Sequence, residues 1–264
     1  MIKKLTNRFF TLIPENNQLE RIWILAKTDF KKRYYGTSLG IVWALINPLI
    51  QLLIYYFIFS VFFKTTIPNF PLYIFLGLIF WMFFAEVTKK GLFTIQTNRY
   101  LLENIRINKL DIYYSGHLSI FFAFLFNLLV FFIASFFFNI NYNINLLFFP
   151  LIILNLLILT FSINLLLSII YIYLRDFNHV WDVFMLVAFW INPIVYSESV
   201  LYEHKIILYL NPLAGIIINA RNSLLYGQSL DLYLFTWNYV FSLTLLAIGL
   251  LVFKIYSKKV VEIL

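Results

Sequence analysis

Trp43, Asn47, Gln51, Tyr55 and Phe59 follow one another at four-residue steps, so a helix through them carries amides and aromatic rings along one face. Amides bond hydroxyls, and ring faces pack on sugar rings or lipid tails; this is the chemistry of a pore wall. The same stripe also fits a helix contact in which Asn47 and Gln51 satisfy each other or a neighbouring backbone. Trp181, Met185, Ala188 and Asn192, with Phe189 and Tyr196 nearby, form a sparser set that reads either as lining or as packing.

Other chemistry is thin. His117, His179 and His204 are far apart and lack His or Cys partners at helical spacing, and the chain has no cysteine, so no metal site is expected. No G-x-x-x-x-G-K-[ST] phosphate loop occurs, which excludes ATP hydrolysis by this chain alone. Glu86 and Asp182 fall at ends of apolar runs, where a carboxylate reaches water, and neither reads as a proton relay. Arg175 and Asp176 form a polar turn whose side chains pair with each other or meet a partner. The chain reads as a non-enzyme without a cofactor of its own.

The elements that must carry these residues are apolar helices. Of 264 residues, 62% are hydrophobic and 12% charged, against about half and a quarter in soluble domains. The charges cluster between long apolar runs, as they do when those runs sit in hydrocarbon. The expected fold is an all-α, polytopic membrane protein, one domain over 1–264. Its six spans are expected at 41–63, 72–86, 112–138, 146–174, 180–196 and 232–256. Pro48 and Pro193 lie inside the first and fifth and should bend them. The second should run on helically past Glu86 into a basic stretch.

Residues 18–35 put Leu19, Ile22, Trp23, Ala26, Phe30 and Tyr34 on one helical face and Glu20, Lys27, Lys31 and Lys32 on the other, a pattern suited to the membrane interface. Residues 1–14 have no apolar core before a small-residue cleavage site and do not read as a removable signal. Residues 201–227 hold apolar pieces too short to cross a bilayer, which predicts a re-entrant helical hairpin between spans five and six. The net charge of +8 sits beside the spans, which points to anionic lipid headgroups and not to nucleic acid. Lys and Arg number 17 in one set of alternating loops and 3 in the other, so both termini should be cytoplasmic and the re-entrant stretch outward.

Five stretches, in order, carry a family resemblance: DFKKRYYGTSLGIVWALINPLI, FLGLIFWMFFAE, NRYLLENIRINKL, the RDF turn and NPLAGIIINARNSLLYG. Together they resemble the membrane subunit of bacterial ABC-2 polysaccharide exporters, which handle O-antigen, capsule and teichoic acid. The resemblance implies a multi-pass permease of the bacterial cytoplasmic (inner) membrane. It implies a homodimer working with two copies of a separate ABC ATPase, which binds ATP and magnesium, and a lipid-linked glycan as substrate. Residues 98–109 would match the coupling helix gripped by that ATPase, through Asn98, Arg99, Leu101, Leu102, Glu103, Arg106 and Lys109. Residues 18–35 would match the interface helix. Trp43, Asn47, Gln51, Tyr55 and Phe59, with Trp181, Met185 and Asn192, would line the channel. Where the family often has Phe-Pro after the coupling segment, this chain has Ile107 and Asn108. The span pattern also admits an ABC-2 permease for a drug or small amphiphile, or a membrane-embedded lipid-sugar transferase; the second needs clustered acids or histidines, which the sequence lacks.

Overall fold

Helix makes up most of the computed structural model, which describes residues 17–34, 39–104 and 107–263, and no strand occurs among these residues. In chain order the helices are α1 (Gln18–Tyr34), α2 (Trp43–Phe57), α3 (Phe70–Thr97), α4 (Arg99–Asn104), α5 (Lys109–Phe137), α6 (Phe149–Tyr173), α7 (Phe177–Ile191), α8 (Ser199–Glu203), α9 (Lys205–Leu210), α10 (Pro212–Leu224) and α11 (Leu232–Ile263). Residues 1–14, Tyr35 and Arg106, which entered the sequence reading, lie outside the described residues.

Among the described residues, five helical stretches are long and apolar enough to cross a bilayer: Gly40–Phe62, Phe70–Thr97, Lys109–Phe137, Ile144–Tyr173 and Leu232–Ser257. The expected span at 180–196 differs. Its helix, α7, has 15 residues and stops at Ile191, a rise of about 22 Å against roughly 30 Å of hydrocarbon. The physical reason is Pro193, whose ring pushes the preceding residue out of the helical region. Asn192 accordingly sits at φ −79°, ψ 140°.

α3 is the centre of the bundle because it has no polar face before Glu86. Every residue from Leu72 to Trp81 is buried, packed by α2, α5, α6, α7 and α10. Phe80 and Phe83 meet Phe124 of α5 at centroid distances of 5.5 and 5.0 Å. Beyond Glu86 the helix continues as one piece to Thr97. There Gly91 lets α6 come close, since a Cβ at this position would run into the Asn164 side chain.

α2 contains Pro48, which has no N–H to offer the carbonyl of Ala44 one turn back. Asn127 of α5 supplies the missing donor: its Nδ2 lies 3.2 Å from Ala44 O. The proline thus fixes the lateral contact between α2 and α5. After Phe57 the chain widens into one π-helical turn, Ile58–Phe62.

α1 packs on the first half of α5. Arg21 Nη2 and Asp111 Oδ2 are 2.5 Å apart, with side chains 7% and 0% exposed, and Gln18 donates to the other carboxylate oxygen at 2.8 Å. The inward face of α1 is therefore Arg21, Leu25 and Ala26. Of the apolar face read from the sequence, Ala26 is buried and Trp23 and Phe30 meet Phe122 of α5 at 5.6 and 6.0 Å, while Leu19 and much of Trp23 stay exposed.

At the other end of the bundle α8, α9 and α10 fold back between α6 and α11. Every residue of α10 is buried. Asn143 and Asn145 donate to Gly227 O at 2.5 and 2.9 Å, and Asn219 Oδ1 accepts from the Asp231 backbone at 2.9 Å. These bonds close the backbone of a segment too irregular to satisfy itself.

Two outcomes follow for the purified protein. Asn127→Leu and Pro48→Ala should be coupled: an alanine at 48 restores the donor for Ala44 O, so the double variant melts higher than the two separate losses predict, by a coupling of about 1 kcal/mol. Additive thermal shifts would contradict this. Asp111→Ala should cost about 3–5 kcal/mol, because it takes the carboxylate away from a buried guanidinium, and should expose α1 to limited proteolysis first.

Candidate functional site

α2, the middle of α3 and the inner side of α7, with parts of α1 and α5, border a cleft of about 1820 Å³, larger than the ~300–1,000 Å³ usual for a small ligand. Helical four-residue spacing brings Trp43, Asn47, Gln51 and Tyr55 of α2 onto one wall. Trp81 and Met82 of α3 and Met185 and Phe189 of α7 form the others. Tyr55 stacks on Phe189 with centroids 5.4 Å apart, and Trp81 meets Phe189 edge-on at 5.5 Å. Among the described residues, neither the Asn47 nor the Gln51 side chain bonds another group of the chain. The two amides thus face the cleft with their hydrogen-bonding capacity unspent.

One end of the cleft is charged. Glu86, Lys89 and Lys90, within five residues of α3, each pair with a different neighbour. Lys90 Nζ is 2.9 Å from Asp29 of α1, Glu86 pairs with Arg33 of α1, and Lys89 pairs with Asp182 of α7 and bonds Asn178 Oδ1 at 2.7 Å. Asn98 and Leu101 border the same end. The two ends of the cleft therefore differ in chemistry: aromatic and amide groups within, ion pairs at the mouth.

Three of the residues chosen from sequence lie elsewhere. Phe59 belongs to the π-helical turn, stacks on Phe63 at 5.1 Å and packs against the core. Trp181 is buried against Leu92 and Leu167 and stacks on Phe184 at 4.8 Å. Asn192 is buried at the end of α7, where its amide donates to Ala188 O at 2.7 Å and its carbonyl accepts from Asn211 at 3.1 Å. In the segment 98–109, Arg99 pairs with Glu103 at 2.6 Å and Asn98 donates to Thr94 O at 2.8 Å. Leu102 packs near Tyr113 and Phe253. Asn108 caps the next helix, so Lys109 is the first residue of α5, and its ammonium bonds Ser257 O.

Sequence spacing missed a second polar cluster. Arg221 of α10 is fully buried and donates to the carbonyls of Pro193 at 2.5 Å, Tyr73 at 3.1 Å and Ile194 at 3.2 Å. Glu198 stands 3.8 Å away; burial pushes its carboxyl up and Arg221 pulls it down. The one available signal was a lone arginine in an apolar run.

Comparison with known proteins supplies the lineage. The ABC-2 type transporter family profile matches residues 20–225. Two Klebsiella pneumoniae proteins, each named O-antigen export system permease protein RfbA, are 26% and 27% identical over 243 residues, covering 91% of this chain and 93% of theirs. A Myxococcus xanthus protein of the same name is 26% identical over 196 residues, 73% of this chain and 75% of its own. With a profile spanning α1 through α10 and a helical bundle of apolar spans beneath it, the chain belongs to the ABC-2 type transporter family.

Proposed function

We propose that this chain is the permease subunit of an exporter that moves a lipid-linked polysaccharide of the O-antigen, capsule or teichoic acid type across the bacterial cytoplasmic membrane. The observation that carries the reading is the cleft: an aromatic wall with two unspent amides, a volume of about 1820 Å³ and a charged mouth. Sugar hydroxyls supply the donors and acceptors that Asn47 and Gln51 lack, and ring faces suit Trp43, Tyr55 and Phe189. The relatives, permeases named for O-antigen export, match nearly the full length of this chain, which supports the same substrate class.

The chain has no phosphate loop, so the driving force comes from a separate ABC ATPase that holds ATP and magnesium. Two permeases and two ATPases form the working unit in this reading. Residues 98–109 would take up the motor's movement: α4 lies between the last turn of α3 and the start of α5, where displacement reaches both helices. The count of Lys and Arg supports a cytoplasmic side for both termini and the charged mouth. α7 then completes a sixth, shortened crossing together with the non-helical segment after it, and α8 to α10 form the outward re-entrant part.

The first test is biochemical: purification in mild detergent should recover a nucleotide-binding subunit in equal amount, and isolation of a fully active permease alone would reject the scheme. The second is functional. Gln51→Ala and Trp43→Ala should each lower surface glycan several-fold while membrane levels and partner recovery stay normal; unchanged surface glycan removes these residues from the path.

A further inference from the structure

A break in a helix inside apolar surroundings leaves carbonyls without donors, and each must find one. After Ile191 the chain leaves the helix, with Asn192 extended and 192–196 bent, so the Pro193 and Ile194 carbonyls lose helical partners. In transporters with interrupted helices such carbonyls hold a metal cation. Here the cation is part of the chain. Arg221 reaches in from α10 and bonds both carbonyls, together with Tyr73 O of α3. Its guanidinium carbon lies 3.3 Å from the Tyr73 ring centroid, well inside cation–π range, and the Tyr73 hydroxyl donates to a further carbonyl of the break, Tyr196 O, at 2.7 Å.

The space is shaped for this group. A Cβ at Gly77 would lie 2.7 Å from Arg221 Nη2 and 3.3 Å from Ile194 Cα, so glycine there keeps the guanidinium's place open. Glu198, at 3.8 Å, is near enough to balance the charge yet makes no hydrogen bond to it. We propose that Arg221 is a tethered cation filling a carbonyl cage at the break after α7, and that it thereby positions the α7 wall of the cleft. Met185 and Phe189, within two turns of the break, line that wall. α10 and α3 are thus joined to α7 through one side chain. Arg221 touches no substrate; it is a positioning residue.

The test separates a cation from a space-filler. Arg221→Met keeps bulk without charge, and Arg221→Lys keeps one ammonium for the carbonyls. The expected order of melting temperature in detergent is wild type, then Lys, then Met, with Met lower by about 10 °C. Met equal to or above Lys would overturn the cage. Arg221→Ala opens the site, and millimolar methylguanidinium should return part of the lost melting temperature to it and none to Arg221→Met; tetramethylammonium should return none. Failure of methylguanidinium to act on a folded Arg221→Ala protein would also overturn the cage. These arms need no assumption about transport. The positioning role rests on the export reading and has its own arm: surface glycan in cells carrying Arg221→Ala should recover with methylguanidinium while ATPase binding is unchanged throughout. Thermal rescue without export rescue would overturn positioning alone, and loss of ATPase binding in the wild type would instead sink the export reading.

Discussion

Hydrocarbon supplies no hydrogen bonds, and the bundle is arranged around that fact. At three places where the chain departs from regular helix, a side chain distant in sequence meets the orphaned carbonyl. Asn127 serves Ala44 O above Pro48. Arg221 and Tyr73 serve the break from Pro193 to Tyr196. Asn143 and Asn145 serve Gly227 O. Each such bond joins segments far apart in sequence, so the places where the backbone is irregular are also the places where helices are locked together. Proline and glycine set those joints, and polar residues on neighbouring helices make them stable.

The interior and the charged mouth are held by forces of different strength. Arg21 and Asp111 are buried and mutually obligatory, so α1 is tied firmly to α5. Lys89 and Asp182 are 39% and 50% exposed, and Lys90 and Asp29 are 36% and 29%; pairs in such positions are worth about 0–1 kcal/mol. The mouth can therefore rearrange at small cost while the aromatic centre around α3 stays packed. α7 feels this contrast most. It is short, it is held at its first turns by Lys89, and it is pinned at its far end through Asn192 and the Arg221 cage. A wall with a weak attachment at one end and a strong one at the other pivots more readily than it slides.

Much of this was legible in the sequence, and the exceptions have local causes. Apolar runs bounded by charge clusters located the long helices, because exclusion of ions from hydrocarbon is a property of composition. Four-residue steps placed Trp43, Asn47, Gln51 and Tyr55 on one wall. The rule lapses at Phe59, where the π-helical turn has more residues per turn and rotates the ring out of line. It lapses again at Asn192, which proline forces into an extended conformation. The ion pair that ties α1 to α5 was hidden for another reason: Asp111 lies 90 residues from Arg21, and no periodicity within a helix reports a partner at that distance. Arg221 and its carbonyls were hidden in the same way.

The amides of Asn47 and Gln51 bear on what surrounds the protomer. Among the described residues they have no partner within the chain, although they sit midway along a stretch apolar enough to cross the bilayer. Lipid chains against them would leave each amide unsatisfied, at roughly 1–3 kcal/mol or more apiece. The stretch is also the least enclosed of the five, with 6% of its most apolar window buried, against 78% for the second. A surface that is apolar outside the stripe and polar along it suits neither lipid alone nor bulk water alone. It suits a seam, with hydrocarbon on one flank and, across the cleft, a space that holds polar groups.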